Sequence, residues 1–198
     1  MTDNDPPQQA QEPQQAQQED KESEQEENPA TSNHLQNFLS ERGIPYTVTR
    51  HAACRTSEES AAVRGVSLDA GAKAILLKDT SSKTNGHYML AVMSASQRFS
   101  SKQFKTISNC KKIRFATPDE VWQVTQCVPG AIPPFGSLFG IVTWVDRSLS
   151  RQETIHFNCG LRTASIAMTY ADYVVAEQPR CQVFTEEEMA LGEISLPS

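Results

Sequence analysis

An α+β fold, with a mixed, partly antiparallel β-sheet and short flanking helices in a single domain, is what this 198-residue sequence predicts. Three observations carry that expectation. Short β-rich runs interleave with capped helix starts at spacings too irregular for repeating strand–helix–strand units. Two of the runs, 72–79 and 87–95, flank a polar stretch that includes Asn85-Gly86, a hairpin signal. Finally, the charge and apolar content of the middle of the chain differ sharply from those of its ends.

Residues 1–33 hold eight Gln, four Pro and nine acidic residues against one Lys, with no aromatic or β-branched aliphatic residue. Such a stretch cannot bury enough apolar surface to offset the entropy of ordering it, so a disordered acidic tail is expected. Residues 186–198 are expected to form a second acidic tail. The 34–185 span between them carries 17 Lys+Arg against 11 Asp+Glu, although the whole chain has a net charge of −6. A basic domain with acidic ends is a candidate binder of polyanions. The N-terminal stretch has no apolar core for a signal peptide and is too acidic for a transit peptide. No apolar run reaches the length of a membrane span, and a cytoplasmic protein is expected. The five cysteines (54, 110, 127, 159 and 181) are scattered, with no CxxC or Cys/His cluster at metal-ligand spacing. Reduced thiols are therefore expected, with no structural zinc, disulfide framework or cofactor.

The elements follow in order. Asn33 can cap a helix whose Leu35, Phe38 and Leu39 share one face, ending at Gly43. IPYTVTR (44–50) reads as a strand. Thr56-Ser57-Glu58-Glu59 is a capping box opening a helix that stops at Gly65. AKAILLKD (72–79) and HYMLAVMSA (87–95) form the expected hairpin. SSKQFKTIS (100–108) predicts a short helix and KIRFA (112–116) a strand. Thr117-Pro118-Asp119-Glu120 opens another helix, running to about Gln126. GIVTWVD (140–146), ETIHFN (153–158) and TASIAMT (163–169) complete the strands, the last two around a turn at 159–162.

Between helix and strand lies VPGAIPPFGSLFG (128–140), with three prolines and three glycines but almost no polarity. Pro133-Pro134 fix φ and lack N–H groups, so they make a stiff extended wall. Gly130 has no side chain, so a ligand can approach its backbone and its carbonyl could polarise a water. Lys73 interrupts an otherwise apolar strand. Its ammonium needs an anion or carbonyls there, or else snorkels from an edge strand. There is no G-x-S-x-G elbow, no nucleotide-binding glycine loop and no cysteine beside an evident base, and the four histidines are far apart in sequence. Among them His51 stands out, at a strand end just before the capped helix. A site of backbone carbonyls and one Lys suits a reaction whose substrate supplies part of its own chemistry.

Together these residues resemble the YbaK/ProX family of aminoacyl-tRNA editing domains, associated with prolyl-tRNA synthetase, over roughly 34–180. The matching pieces are HAACRTSEESAA, GAKAILLK, RFATPDEVWQVT, the G-x-x-x-P element at Gly130–Pro134 followed by PFG, WVDRSL and NCGLRTASIAM. The resemblance implies hydrolysis of the ester between a wrong amino acid and the 3′ adenosine of tRNA. It casts Lys73 as the catalytic residue holding the terminal adenosine. Gly130, Ala131, Ile132, Pro134, Phe135 and Gly136, with His51, Asn158, Gly160 and Ser165, would bind substrate. Lys73 is followed by Ala74, whereas the branch that removes Ala from proline tRNA tends to have Asn there; Ala, Ser, Thr and Cys all remain open as the amino acid. The implied partners are the acceptor end of a mischarged tRNA and, through the acidic N-terminal tail, an aminoacyl-tRNA synthetase. The alternative is a non-catalytic module of the same fold that binds tRNA or a synthetase.

Overall fold

The strands divide between two sheets, and the functional groups gather where those sheets meet. A computed structural model describes residues 27–81 and 86–186; Asn85 of the expected Asn-Gly turn and both expected tails, apart from 27–33 and Glu186, lie outside these residues. Where the sequence predicts one sheet, the smaller is antiparallel, in the order β1 (Thr47–Arg50), β7 (Ala164–Thr169), β6 (Thr154–Leu161). The larger has the order β4 (Ile113–Phe115), β2 (Ala72–Asp79), β3 (Tyr88–Ser94), β5 (Val142–Asp146), β8 (Arg180–Gln182). It is mixed: β4–β2–β3 pair antiparallel, whereas β3–β5–β8 run parallel. A single parallel bridge, Gly71 to His156, joins the start of β2 to β6.

Among the described residues, five α-helices flank the sheets: α1 (Ala30–Glu41), α2 (Ser57–Arg64), α3 (Ser101–Ser108), α4 (Pro118–Thr125) and α5 (Tyr170–Glu177). The capping boxes at Thr56/Glu59 and Thr117/Glu120 form as the sequence predicts, and Gly65 closes α2 in the left-handed conformation. α1 begins earlier than expected. Pro29 precedes it and Asn33 lies inside its first turn, because Thr31 and Ser32 are buried and Thr31 Oγ1 donates to the Thr125 carbonyl at 2.8 Å. Glu27 accepts the Arg162 backbone N–H at 2.6 Å, so residues 27–33, assigned by composition to the tail, pack on the domain. β6 runs on through the expected turn to Leu161, bulging between Asn158 and Leu161 with Gly160 at φ +96°. α5 and β8 carry no strong sequence signal and appear only in the structure.

β3 is buried on both faces, and its alternation sorts two cores. Leu90 and Val92 enter the larger one, with α1, α5 and the proline-rich loop; Met89, Ala91 and Met93 enter the smaller, with Phe104, Trp144 and Phe184. The loop 128–136 is part of the larger core. Phe135 is fully buried, its ring 5.3 Å from Tyr173 and 5.7 Å from Phe157. Prolines deprive this segment of ladder bonds, so side chains from elsewhere hold it. Tyr173 Oη donates to the Pro134 carbonyl at 2.9 Å. The Glu177 carboxylate accepts from the Ser137 N–H at 3.1 Å and from the Ser137 and Thr143 hydroxyls. Burial pushes the Glu177 carboxyl upward in pKa, against those donors.

Asp146, at the end of β5, fastens the end of the domain. Fully buried, it accepts from Ser148 N at 2.9 Å, Phe184 N at 2.7 Å, Thr185 N at 3.1 Å and Thr185 Oγ1 at 3.1 Å. Asp146→Ala strands three backbone donors at once. It is expected to lower unfolding free energy by about 3–5 kcal/mol, measured by urea denaturation, because each unsatisfied buried group costs about 1–3 kcal/mol.

Candidate active site

A pocket of about 270 Å³ opens between α2, the start of β2, the loop at Gly130 and Asn158 of β6. Its helical wall is one stripe: Ser57, Ser60, Ala61 and Arg64 recur at i, i+3, i+4 and i+7 and therefore share a face. The first three are small and leave room; Arg64, in the last turn, supplies charge. Cys54, Arg55 and Thr56 form the rim ahead of the helix, and Ile132 and Ala95 add apolar wall.

Lys73 lines the opposite side. By alternation it shares a strand face with Ile75 and Leu77, but it lies at the start of β2, where it is half-buried. Its ammonium donates to the Gln97 carbonyl at 3.2 Å. Burial lowers the Lys73 pKa, and the charge of Glu58 partly opposes that shift. The remaining N–H groups of the ammonium can reach a ligand, since Lys has three donors.

The floor is a hydrogen-bonded relay from Arg64 to the backbone of the proline-rich loop. Arg64 Nη2 donates to Asn158 Oδ1, and Asn158 Nδ2 donates to the Gly130 carbonyl at 2.7 Å. Arg64 Nε donates to Ser165 Oγ at 2.8 Å. Behind it, His51 Nδ1 lies 2.8 Å from the Ala52 carbonyl, which can only accept, so Nδ1 carries the proton. Nε2 is then an acceptor, and the Ser165 hydroxyl donates to it at 2.6 Å. Burial pulls the Arg64 pKa down, but a guanidinium remains charged. Burial, followed by that neighbouring charge, also depresses the His156 pKa.

The loop backbone is preorganised. Gly130 has φ +85°, a conformation that disfavours any side chain, and a Cβ there would meet only the Arg55 carbonyl, at 3.9 Å. Gly160 N donates to the Ala131 carbonyl at 2.9 Å, tying the bulge of β6 to the loop. One lone pair of the Gly130 carbonyl is taken by Asn158; the other is available to a water or hydroxyl.

Of the residues singled out by sequence, Lys73, Gly130, Ile132 and Asn158 line this one pocket. His51 and Ser165 stand behind its floor. Their 2.6 Å contact has the spacing of a nucleophile and base, yet Ser165 is 2% exposed and its oxygen is occupied by Arg64. Ala131, Pro134, Phe135 and Gly136 are buried and do not line this pocket; Ala131 and Phe135 turn their side chains into the larger core. Gly136 leaves no room for a Cβ, which would fall 2.5 Å from Thr143 Oγ1. Gly160 likewise packs against Thr31 and Ser32 of α1. Arg64 was missed. Its signal was present in the stripe of small residues ending in one Arg, but a lone Arg in a last helical turn also reads as a partner of the helix dipole.

Residues 51–175 match the aminoacyl-tRNA editing domain family. The chain is 33% identical over 150 residues to the multifunctional Ser/Thr-tRNA deacylase ProXp-y of Escherichia coli K12, covering 75% of this chain and 89% of that protein. Its fold resembles that of a proposed trans-editing enzyme for prolyl tRNA synthetase, with TM-score 0.70, 20% identity, and 79% of this chain and 97% of the other covered. A second crystal structure, of a hypothetical protein, aligns with TM-score 0.69 and 22% identity over 77% of this chain and 99% of the other.

Arg64→Met keeps the stem but removes both donors, leaving Asn158 Oδ1 and Ser165 Oγ without them. It is expected to destabilise the fold by about 1–3 kcal/mol in chemical denaturation. Arg64→Lys should recover only part of that loss, because an ammonium cannot present the two-pronged fork.

Proposed function

The chain belongs to the aminoacyl-tRNA editing domain family, and we propose that it is a trans-acting deacylase that frees tRNA from small, wrongly attached amino acids, Ser and Thr first and Ala or Cys next. The observation that carries this reading is the convergence of a half-buried ammonium, Lys73, and a fixed, accessible backbone, Gly130, on one pocket. The pocket's volume, near the lower end for small-molecule sites, suits an aminoacyl group at the tip of tRNA. The surplus of basic over acidic residues in 34–185 favours a polyanionic substrate. The Ser/Thr preference rests on the relative's activity and on the floor. Arg64 uses two of its five N–H groups on Ser165 and Asn158, so others can meet a side-chain hydroxyl.

In this mechanism Lys73 holds the terminal adenosine and steadies the negative charge that develops as the ester carbonyl is attacked. The Gly130 carbonyl accepts a hydrogen bond from the attacking water, with the adenosine's own vicinal hydroxyl assisting. Water adds to the ester carbon, the bond to the ribose oxygen breaks, and that oxygen leaves protonated. Catalysis then comes from positioning and fixed dipoles, in keeping with the occlusion of Ser165. Editing is needed because a synthetase pocket distinguishes amino acids one methylene apart by only about 10–200-fold.

Purified protein should release amino acid from Ser-tRNA and Thr-tRNA faster than the uncatalysed rate. A panel of Ser-, Thr-, Ala- and Cys-charged tRNAs that shows no release above background would end this reading. Lys73→Met should lower kcat/KM by about 10²–10³ while leaving the folded circular-dichroism spectrum intact. Burial lowers the Lys73 pKa, so the ammonium is lost at lower pH than for free lysine. The advantage of wild type over Lys73→Met should therefore be full well below that lowered pKa and shrink as pH rises through it.

A further inference from the structure

Far from the pocket in sequence role, three residues converge at the other end of the β2–β3 hairpin. Asp79 ends β2, His87 immediately precedes β3, and Cys110 follows the C-cap of α3. One ligand atom from each, a carboxylate oxygen, an imidazole nitrogen and a thiol sulfur, lies within 4.8 Å of the other two. None of the three lines the pocket that holds Lys73. We propose that Asp79, His87 and Cys110 form a Zn²⁺ site.

The donor set argues for the metal. Thiolate with imidazole selects borderline-soft ions such as zinc, whereas Mg²⁺ and Ca²⁺ take oxygen donors. Bond lengths of about 2.0–2.3 Å put ligand atoms of a tetrahedral site about 3.3–3.8 Å apart. His87 Nδ1 and Asp79 Oδ2 already stand 3.6 Å apart, and the His87 side chain is 60% exposed and free to swing. Cys110 is 6% exposed, and its Sγ already lies within 4.8 Å of both other ligand atoms; a four-coordinate ion held by three protein ligands takes water as its fourth.

The backbone under these residues is fixed. Asp79 N donates to the His87 carbonyl at 2.9 Å, closing the hairpin ladder beneath the two ligands. Gly86 allows that closure: a Cβ there would come within 2.4 Å of the Asp79 carbonyl oxygen. Thr80 N donates to the Lys112 carbonyl at 2.9 Å and Lys112 N to Ser81 Oγ at 3.0 Å, so the segment bearing Cys110 is stitched to the segment bearing Asp79. Asp79 Oδ1 is itself held by the Ser81 N–H at 2.7 Å, an orienting contact of the kind that surrounds metal-bound carboxylates. A bound ion would pin the hairpin end to the α3–β4 connection and stabilise the native state by mass action.

The test uses the full chain purified with chelator, then titrated with Zn²⁺ alone and, separately, with Co²⁺. Stoichiometric Zn²⁺ uptake by calorimetry, a rise in Tm on addition of Zn²⁺, and a thiolate-to-cobalt charge-transfer band are the expected results. His87→Ala changes an exposed side chain and should keep the fold, yet weaken Zn²⁺ binding by more than about 100-fold, beyond what loss of an outer partner alone costs. Cys110→Ser should abolish the charge-transfer band. Deacylation by His87→Ala should match wild type. Absence of uptake, or uptake that is unchanged in His87→Ala and Cys110→Ser, overturns the proposal.

Discussion

The hydrogen bond from Asn158 Nδ2 to the Gly130 carbonyl is the constraint on which the site depends. A loop with prolines at 129, 133 and 134 cannot join a β-ladder, so its carbonyls take whatever direction outside groups impose. Asn158 sets the one at Gly130, Gly160 the one at Ala131, and Tyr173 the one at Pro134. Each donor comes from the β6–β7–α5 part of the chain. The pocket wall is thus assembled from a segment with little conformational choice and a frame that dictates the rest.

Arg64 extends that logic across the pocket. Its guanidinium, brought in by α2, orients Asn158 from behind and fixes Ser165 with the same planar group. A buried cation is tolerable only when its donors are used, and two of them are consumed in positioning the floor. The positive character of the pocket therefore has two sources of different kinds. Arg64 is immobilised in a network, whereas Lys73 holds a single carbonyl at 3.2 Å and can turn toward a ligand.

Much of this architecture was legible in the sequence, because local chemistry and tertiary outcome agree. The two capping boxes, the left-handed Gly65 and the antiparallel pairing of 72–79 with 87–95 follow from side chains within a few residues of one another. Lys73 and Gly130 stood out for the same reason, as residues at odds with their immediate surroundings. What sequence hid was non-local. The split into two sheets depends on pairings between strands far apart in sequence, such as β1 with β7, and α5 packs by means of Tyr173 and Glu177, whose partners lie 34–40 positions away. The start of α1 was misplaced because its burial is imposed by Thr125 and Cys159, far along the chain. The role of Arg64 was invisible because Asn158 and Ser165 are more than 90 positions from it.

Backbone walls also shape how such a pocket can diverge. The Gly130 carbonyl belongs to the main chain and cannot be exchanged for another group by substitution, so this part of the wall stays constant while the side-chain lining varies. Variation is left to a few lining side chains that take no part in the relay's hydrogen bonds: Ser60 and Ala61 on the helical stripe, Ala95, and Ile132. Ser60 and Ala61 sit on a helix face where a methyl group more or less leaves the capped ends untouched. A lineage could therefore reshape the pocket by resculpting one helix face, inheriting its backbone wall unchanged.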